Sequence, residues 1–151
     1  KFKLAVRTPV WTDDYSFSHP CEIINGYAFF DIEKETEISA EFGMNVRMIK
    51  CSNRVRENIG KVAVTKGPFV YCMEEKDNGK NLQMIKISSE PDFRVDGDIV
   101  FAKGFREKDS NVLYSEWQMP DLEETEIRLI PYYTWGNRGK NEMSVYINIV
   151  Y

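Results

Sequence analysis

Apolar residues in this chain recur at every second position, not at every third or fourth. In "FKLAVR", Phe2, Leu4 and Val6 alternate with Lys3, Ala5 and Arg7. In "VRMIKC", Val46 and Met48 share a side with Lys50, while Arg47, Ile49 and Cys51 take the other. "KVAV" aligns Val62 with Val64, "TEIRLI" aligns Ile127 with Leu129, and "SVYINIVY" aligns Val145, Ile147, Ile149 and Tyr151. An extended backbone points successive side chains to opposite faces, so each run reads as a strand with one buried side. β-Branched and aromatic residues, which suit a pleated surface, are frequent in these runs.

Turn signals separate the runs: Asn25-Gly26, Lys66-Gly67-Pro68, Asp77-Asn78-Gly79, Asp96-Gly97-Asp98 and Asn137-Arg138-Gly139. "DIEKETEISAEF" contains helix-forming residues, yet Thr36, Ile38, Ala40 and Phe42 alternate in the manner of a strand. No amphipathic helix of useful length is found. Short strands with regular turns predict an all-β fold, an antiparallel β-sandwich of jelly-roll type built as one sandwich or as two small packed ones. Residues 1–151 are read as one β-sandwich region, with a candidate subdomain boundary at 88–93, where "SSEPDF" interrupts the pattern. A chain of 151 residues can bury roughly 70% of its unfolded surface without staples.

A formal net charge of −4 argues against nucleic acid and anionic membranes as partners. No apolar run approaches the length of a membrane-spanning helix. The three cysteines, Cys21, Cys51 and Cys72, are odd in number and widely spaced, which favours free thiols and, with them, the cytoplasm. The first residues, "KFKLAVR", lack an initiator Met and already read as a strand, as if cut from a longer chain.

Catalytic patterns are scarce. His19 is the single histidine and has no second anchor for a nucleophile triad or a zinc site. Glu74-Glu75 and Glu123-Glu124 are neighbours, and neighbours in a strand diverge, so neither pair brackets a glycosidic bond. Cys72 in "FVYCM" reads as a buried, inert thiol. The aromatic cluster of "IPYYTWGNRGKNE" is open to two readings. Tyr132, Tyr133 and Trp135 form either a platform for sugar rings or a cover for the end of the sheets. On the second reading Arg138 and Glu142 pair across the turn.

Three stretches carry a resemblance. "FKLAVRTPVW" (Phe2–Trp11), "GKVAVTKGPFVYCMEEKDNG" (Gly60–Gly79) and "LIPYYTWGNRGKNEMSVYI" (Leu129–Ile147) resemble, in this order, motifs of the β-L-arabinofuranosidase family, glycoside hydrolase family 127. Two departures stand beside the match. "EKETE" (Glu33–Glu37) replaces an expected tryptophan and Gly-Asp turn, and the segment between Trp11 and Gly26 is short.

The resemblance implies an (α/α)6 catalytic barrel followed by β-sandwich domains, with the nucleophilic cysteine, its zinc and the acid/base glutamate all in the barrel. None of those residues maps onto this chain, so no catalytic residue, metal ligand or cofactor is expected here. Zinc would belong to the barrel of a longer parent. The expected function is a non-catalytic C-terminal domain with that barrel as its partner. The alternatives are a carbohydrate-binding module or an oligomerisation domain, the latter a homodimer through an exposed sheet edge. Trp11, Tyr132, Tyr133, Trp135, Arg138 and Glu142 are the candidate carbohydrate-binding or barrel-interface residues.

Overall fold

The alternating runs become strands in a computed structural model that describes residues 1–110 and 112–151. The chain divides into two compact units, Lys1–Asn45 and Val46–Tyr151. The all-β expectation holds, since helical structure among the described residues amounts to single turns. Among the described residues, no helix is long and apolar enough to cross a membrane.

The first unit contains β1 (Phe2–Arg7), β2 (Tyr15–Phe17), β3 (Glu22–Ile24), β4 (Tyr27–Ile32) and β5 (Ala40–Phe42). They form an antiparallel sheet of order β1-β4-β3 and a separate two-stranded sheet, β2-β5. Asn25-Gly26 makes the two-residue turn from β3 to β4, pairing Ile24 with Tyr27. Phe17 of the small sheet meets Phe30 of the larger one edge to face at 5.4 Å. Of the alternating run from Thr36 to Phe42, only Ala40–Phe42 takes up strand pairing.

The second unit contains β6 (Val46–Lys50), β7 (Lys61–Lys66), β8 (Phe69–Glu74), the single helical turn α1 (Glu75–Asn78), β9 (Ile85–Ser88), β10 (Arg94–Asp96), β11 (Ile99–Glu107), β12 (Leu122–Pro131), β13 (Met143–Ser144) and β14 (Tyr146–Val150). Where the sequence predicts a sandwich, this unit closes into a six-stranded barrel, β8-β12-β11-β9-β14-β7 and back to β8. Strand β7 makes the join, its Lys61–Ala63 pairing with β14 and its Thr65–Lys66 with β8. Every joint is antiparallel except β9–β14. A sandwich and a barrel both bury one face of each strand, so alternation alone does not separate them.

The barrel interior is filled by Val62, Val64, Tyr71, Met73, Leu82, Ile85, Ile87, Val100, Ala102, Ile127, Leu129 and Ile147. All but Leu82, which enters from the turn before β9, are inward positions of the strands. At Gly104 on β11 a Cβ would stand 2.7 Å from the Lys86 carbonyl oxygen and would also collide with the Ile127 side chain. Glycine therefore lets β9 and β11 approach at that point. Residues 88–93 lie inside this second unit, running from β9 toward β10.

Candidate functional site: an arginine-clamped aromatic loop

From Tyr71 to Glu74, strand β8 is buried on both faces. Tyr71 and Met73 point into the barrel, whereas Cys72 and Glu74 occupy the opposite face, and each of these four is at most 2% exposed. The loop 132–142, which follows β12, covers that outer face. An ionised glutamate with no solvent is costly unless it is paired and hydrogen-bonded. Here Arg138 supplies the pairing, its Nη2 bonding both Glu74 Oε2 and Asp77 Oδ2. Arg138 Nη1 also donates to Asp77 Oδ1 at 3.0 Å, and the Gly136 N–H donates to Glu74 Oε1 at 3.1 Å. Gly136 has φ 80, a left-handed geometry that turns its N–H toward the carboxylate.

The helical turn α1 extends the clamp to the neighbouring strand. Arg128 on β12 donates to Asp77 Oδ1 at 2.8 Å. The Asn78 side chain donates to the Glu74 and Arg128 carbonyls at 3.0 and 2.9 Å and accepts the Arg128 N–H at 2.9 Å. Two arginines and two carboxylates thus share one network, which fixes the start of loop 132–142 on β8 and β12.

Ionisation follows from these contacts. Burial pushes the Glu74 carboxyl upward, but the Gly136 N–H and Arg138 outweigh it and hold it below its ordinary value. The hydrogen bonds from Arg138 hold Asp77 low as well, against its burial and with help from the Arg128 charge. Arg138 is correspondingly raised, first by Asp77 and then by Glu74. Burial, reinforced by the Glu74 charge, pushes the Cys72 thiol up to about 11. Both carboxylates are thus ionised and occupied at neutral pH, and the thiol is protonated. This chemistry builds a rigid loop and leaves neither an acid nor a nucleophile free.

The expected pairing of Arg138 with Glu142 does not form. Glu74 and Asp77 take Arg138, because leaving a buried carboxylate unpaired costs more than leaving an exposed one. Glu142 serves elsewhere. Its Oε2 accepts the Leu82 N–H at 3.2 Å, and its backbone exchanges bonds of 2.9 and 3.0 Å with the Glu75 N–H and carboxylate. Glu74 and Glu75 therefore do diverge, one binding Arg138 and the other the backbone of the same loop.

The clamp presents Tyr132, Tyr133 and Trp135, which are 46%, 62% and 42% exposed. Tyr132 and Trp135 stack on each other with ring centroids 6.3 Å apart and an 18° interplanar angle. Tyr133 meets Phe69 of β8 edge to face at 5.6 Å. Five of the six candidate residues consequently lie on one loop. Trp11 belongs to the first unit, where its ring stands edge-on to Phe42 at 6.1 Å. His19 is exposed there and shares a 3.0 Å hydrogen bond with the Ser18 hydroxyl.

Sequence reasoning missed Glu74, Asp77, Asn78 and Arg128 as parts of this site. The signal available was the charge density of "CMEEKDNG" directly after an apolar strand, where an acidic residue in phase with Cys72 must be buried with it. Among the described residues, no three His, Cys, Asp or Glu side chains converge as a metal site would require.

Comparison with known proteins assigns the family. The glycoside hydrolase family 127 C-terminal domain matches residues 46–148, which is nearly the whole of the second unit. A non-reducing end β-L-arabinofuranosidase of Bifidobacterium longum subsp. longum is 34% identical over 125 residues, covering 73% of this chain and 19% of that protein. A GH127 β-L-arabinofuranosidase from Geobacillus stearothermophilus T6 superposes with a TM-score of 0.84 at 32% identity, covering 99% of this chain and 26% of that one. A second solved structure, a GH127 β-arabinofuranosidase, has a TM-score of 0.76 at 25% identity over 97% of this chain and 25% of its own. The chain thus spans about a fifth to a quarter of the length of these relatives. With its second unit matched almost end to end, the chain belongs to glycoside hydrolase family 127 and carries the C-terminal domain of that family.

Proposed function

We propose that this chain is the non-catalytic C-terminal β-region of a β-L-arabinofuranosidase-like glycoside hydrolase, supporting or bordering a helical catalytic barrel that lies outside these residues. The observation that carries the reading is the clamp. Glu74 and Asp77, the two carboxylates beneath the aromatic loop, are both engaged by Arg138, so neither is free to protonate a leaving group or attack a sugar. Loop 132–142 is on this reading a fixed surface that faces the barrel. Any zinc would sit in that barrel. The test is hydrolysis of an aryl β-L-arabinofuranoside by the 151-residue chain and by the product of the full natural reading frame. Turnover is expected from the longer product alone. Turnover by the short chain, or none by either, overturns the proposal.

The exposed Tyr132, Tyr133 and Trp135 favour one second reading, a carbohydrate-binding surface. It predicts that arabino-oligosaccharides bind the isolated chain and that Trp135→Ala abolishes binding in calorimetry. The mutual stacking of Tyr132 and Trp135 leaves each ring one face for a sugar, which weakens this alternative against the first. Homodimerisation, the remaining alternative, predicts a mass that rises with concentration in light scattering.

A further inference from the structure

The largest exposed apolar group in the second unit is not the aromatic loop. It lies at the far end of the β11–β12 hairpin, where Val112, Leu113, Tyr114, Trp117 and Met119 are 61%, 88%, 91%, 82% and 78% exposed. The hairpin stem is the most extended pairing in the fold, running from Val100↔Leu129 to Glu107↔Leu122. Its mouth is closed by a 2.9 Å backbone bond from the Lys108 N–H to the Asp121 carbonyl and by a 2.8 Å ion pair between the same side chains. A firm stem thus carries a tip whose apolar side chains find no cover among the described residues. Exposed apolar patches of this density mark contact surfaces.

We infer that residues 112–119 dock on an apolar surface of the catalytic portion of the same polypeptide, a partner that rests on the reading proposed above. Two observations select that occupant. The tip falls within the matched C-terminal domain, and the relatives that share this domain are about four to five times longer than the match, so in them a tethered partner is always at hand. The tip also offers only five large side chains, whereas a stable complex between separate molecules engages roughly 20–30 residues from each partner. A partner on the same chain is held at an effective concentration of about millimolar, so a small contact suffices. The aromatic and Met side chains are the types enriched at the centres of such contacts.

The experiment is hydroxyl-radical footprinting of Tyr114, Trp117 and Met119 in the 151-residue chain and in the full-length product, with mass-spectrometric readout. Oxidation of the three side chains is expected to slow by about fivefold in the longer protein, as they enter a contact that excludes water. Leu113→Ser combined with Trp117→Ser should restore fast oxidation at Tyr114. Equal oxidation in both proteins overturns the inference. So does protection in the short chain that rises with its concentration, which assigns the tip to a second copy, or protection that needs added arabino-oligosaccharide. A natural reading frame with no further segment removes the occupant and overturns it as well. Aryl-arabinofuranoside hydrolysis, measured on the same full-length sample, separates the two proposals. An active enzyme with an unprotected tip sinks the docking alone, and an inactive one with a protected tip sinks the glycosidase reading alone.

Discussion

The two units are made of the same alternating strands and reach different ends. In the second, strands return on themselves, and every barrel position has neighbours on all sides, so Val64, Ile87, Val100, Ile127 and Leu129 lose all contact with water. In the first, the three-stranded sheet is faced by a sheet of only two short strands. Phe30 and Ala28 of β4 are buried there, but Phe2 and Leu4 of β1, on the same face of the sheet, stay 60% and 36% exposed. Closure, and not composition, decides how much a strand can bury.

Breaking the barrel should have the largest effect. Leu129→Ala removes a fully buried side chain from a ring that cannot collapse freely, so a loss of about 3–5 kcal/mol is expected in urea unfolding. A loss under about 1 kcal/mol would mean that the interior is not packed as described. Arg138→Ala comes next, at about 3 kcal/mol, because it strands Glu74 without a counter-charge; the arginine is itself 38% exposed, which keeps the effect at the low end for a buried pair. Loss of order confined to residues 132–142, read by amide exchange, accompanies it.

Phe30→Ala should cost about 2 kcal/mol, less than the usual Phe truncation, since the half-covered first unit can settle around the gap. Its effect on amide exchange should stop at Asn45, and slower or faster exchange in the barrel would contradict the division into two units.

The pH response sharpens the contrast further. Glu74 and Asp77 titrate lower in the folded protein than in the unfolded chain, so their stabilisation is complete above the ordinary carboxylate range and is lost as pH falls through the lowered folded values. The urea midpoint of the second unit should therefore fall below pH about 4, and Asp77→Asn should flatten part of that fall. The smallest effect belongs to Tyr132→Ala, under about 1 kcal/mol, because the ring is 46% exposed.

Strands and turns were legible because both are local. Phe2–Arg7, Lys61–Lys66 and Tyr146–Val150 follow from alternation, and Asn25-Gly26 sets its own hairpin. Ring closure was not, because it depends on β7 meeting β14 and β8, pairings that no short window contains. The site was half legible. The aromatics and Arg138 stand out in "PYYTWGNRG", whereas their anchors, Glu74 and Asp77, lie about sixty residues earlier. Glu142 shows the same limit, since its partner Leu82 lies as far away.

The parallel joint between β9 and β14 has a consequence for how the protein is made. Lys86 and Ser88 must wait for Asn148 and Val150 before the ring is whole. On the ribosome, the β11–β12 hairpin can form as soon as it leaves the exit tunnel, but the barrel stays an open sheet until its last strand emerges. During that interval its apolar interior is open to solvent or to a chaperone. Slowing translation of β14 would prolong the exposure, so codon choice there bears on yield even where it leaves the mature protein unchanged.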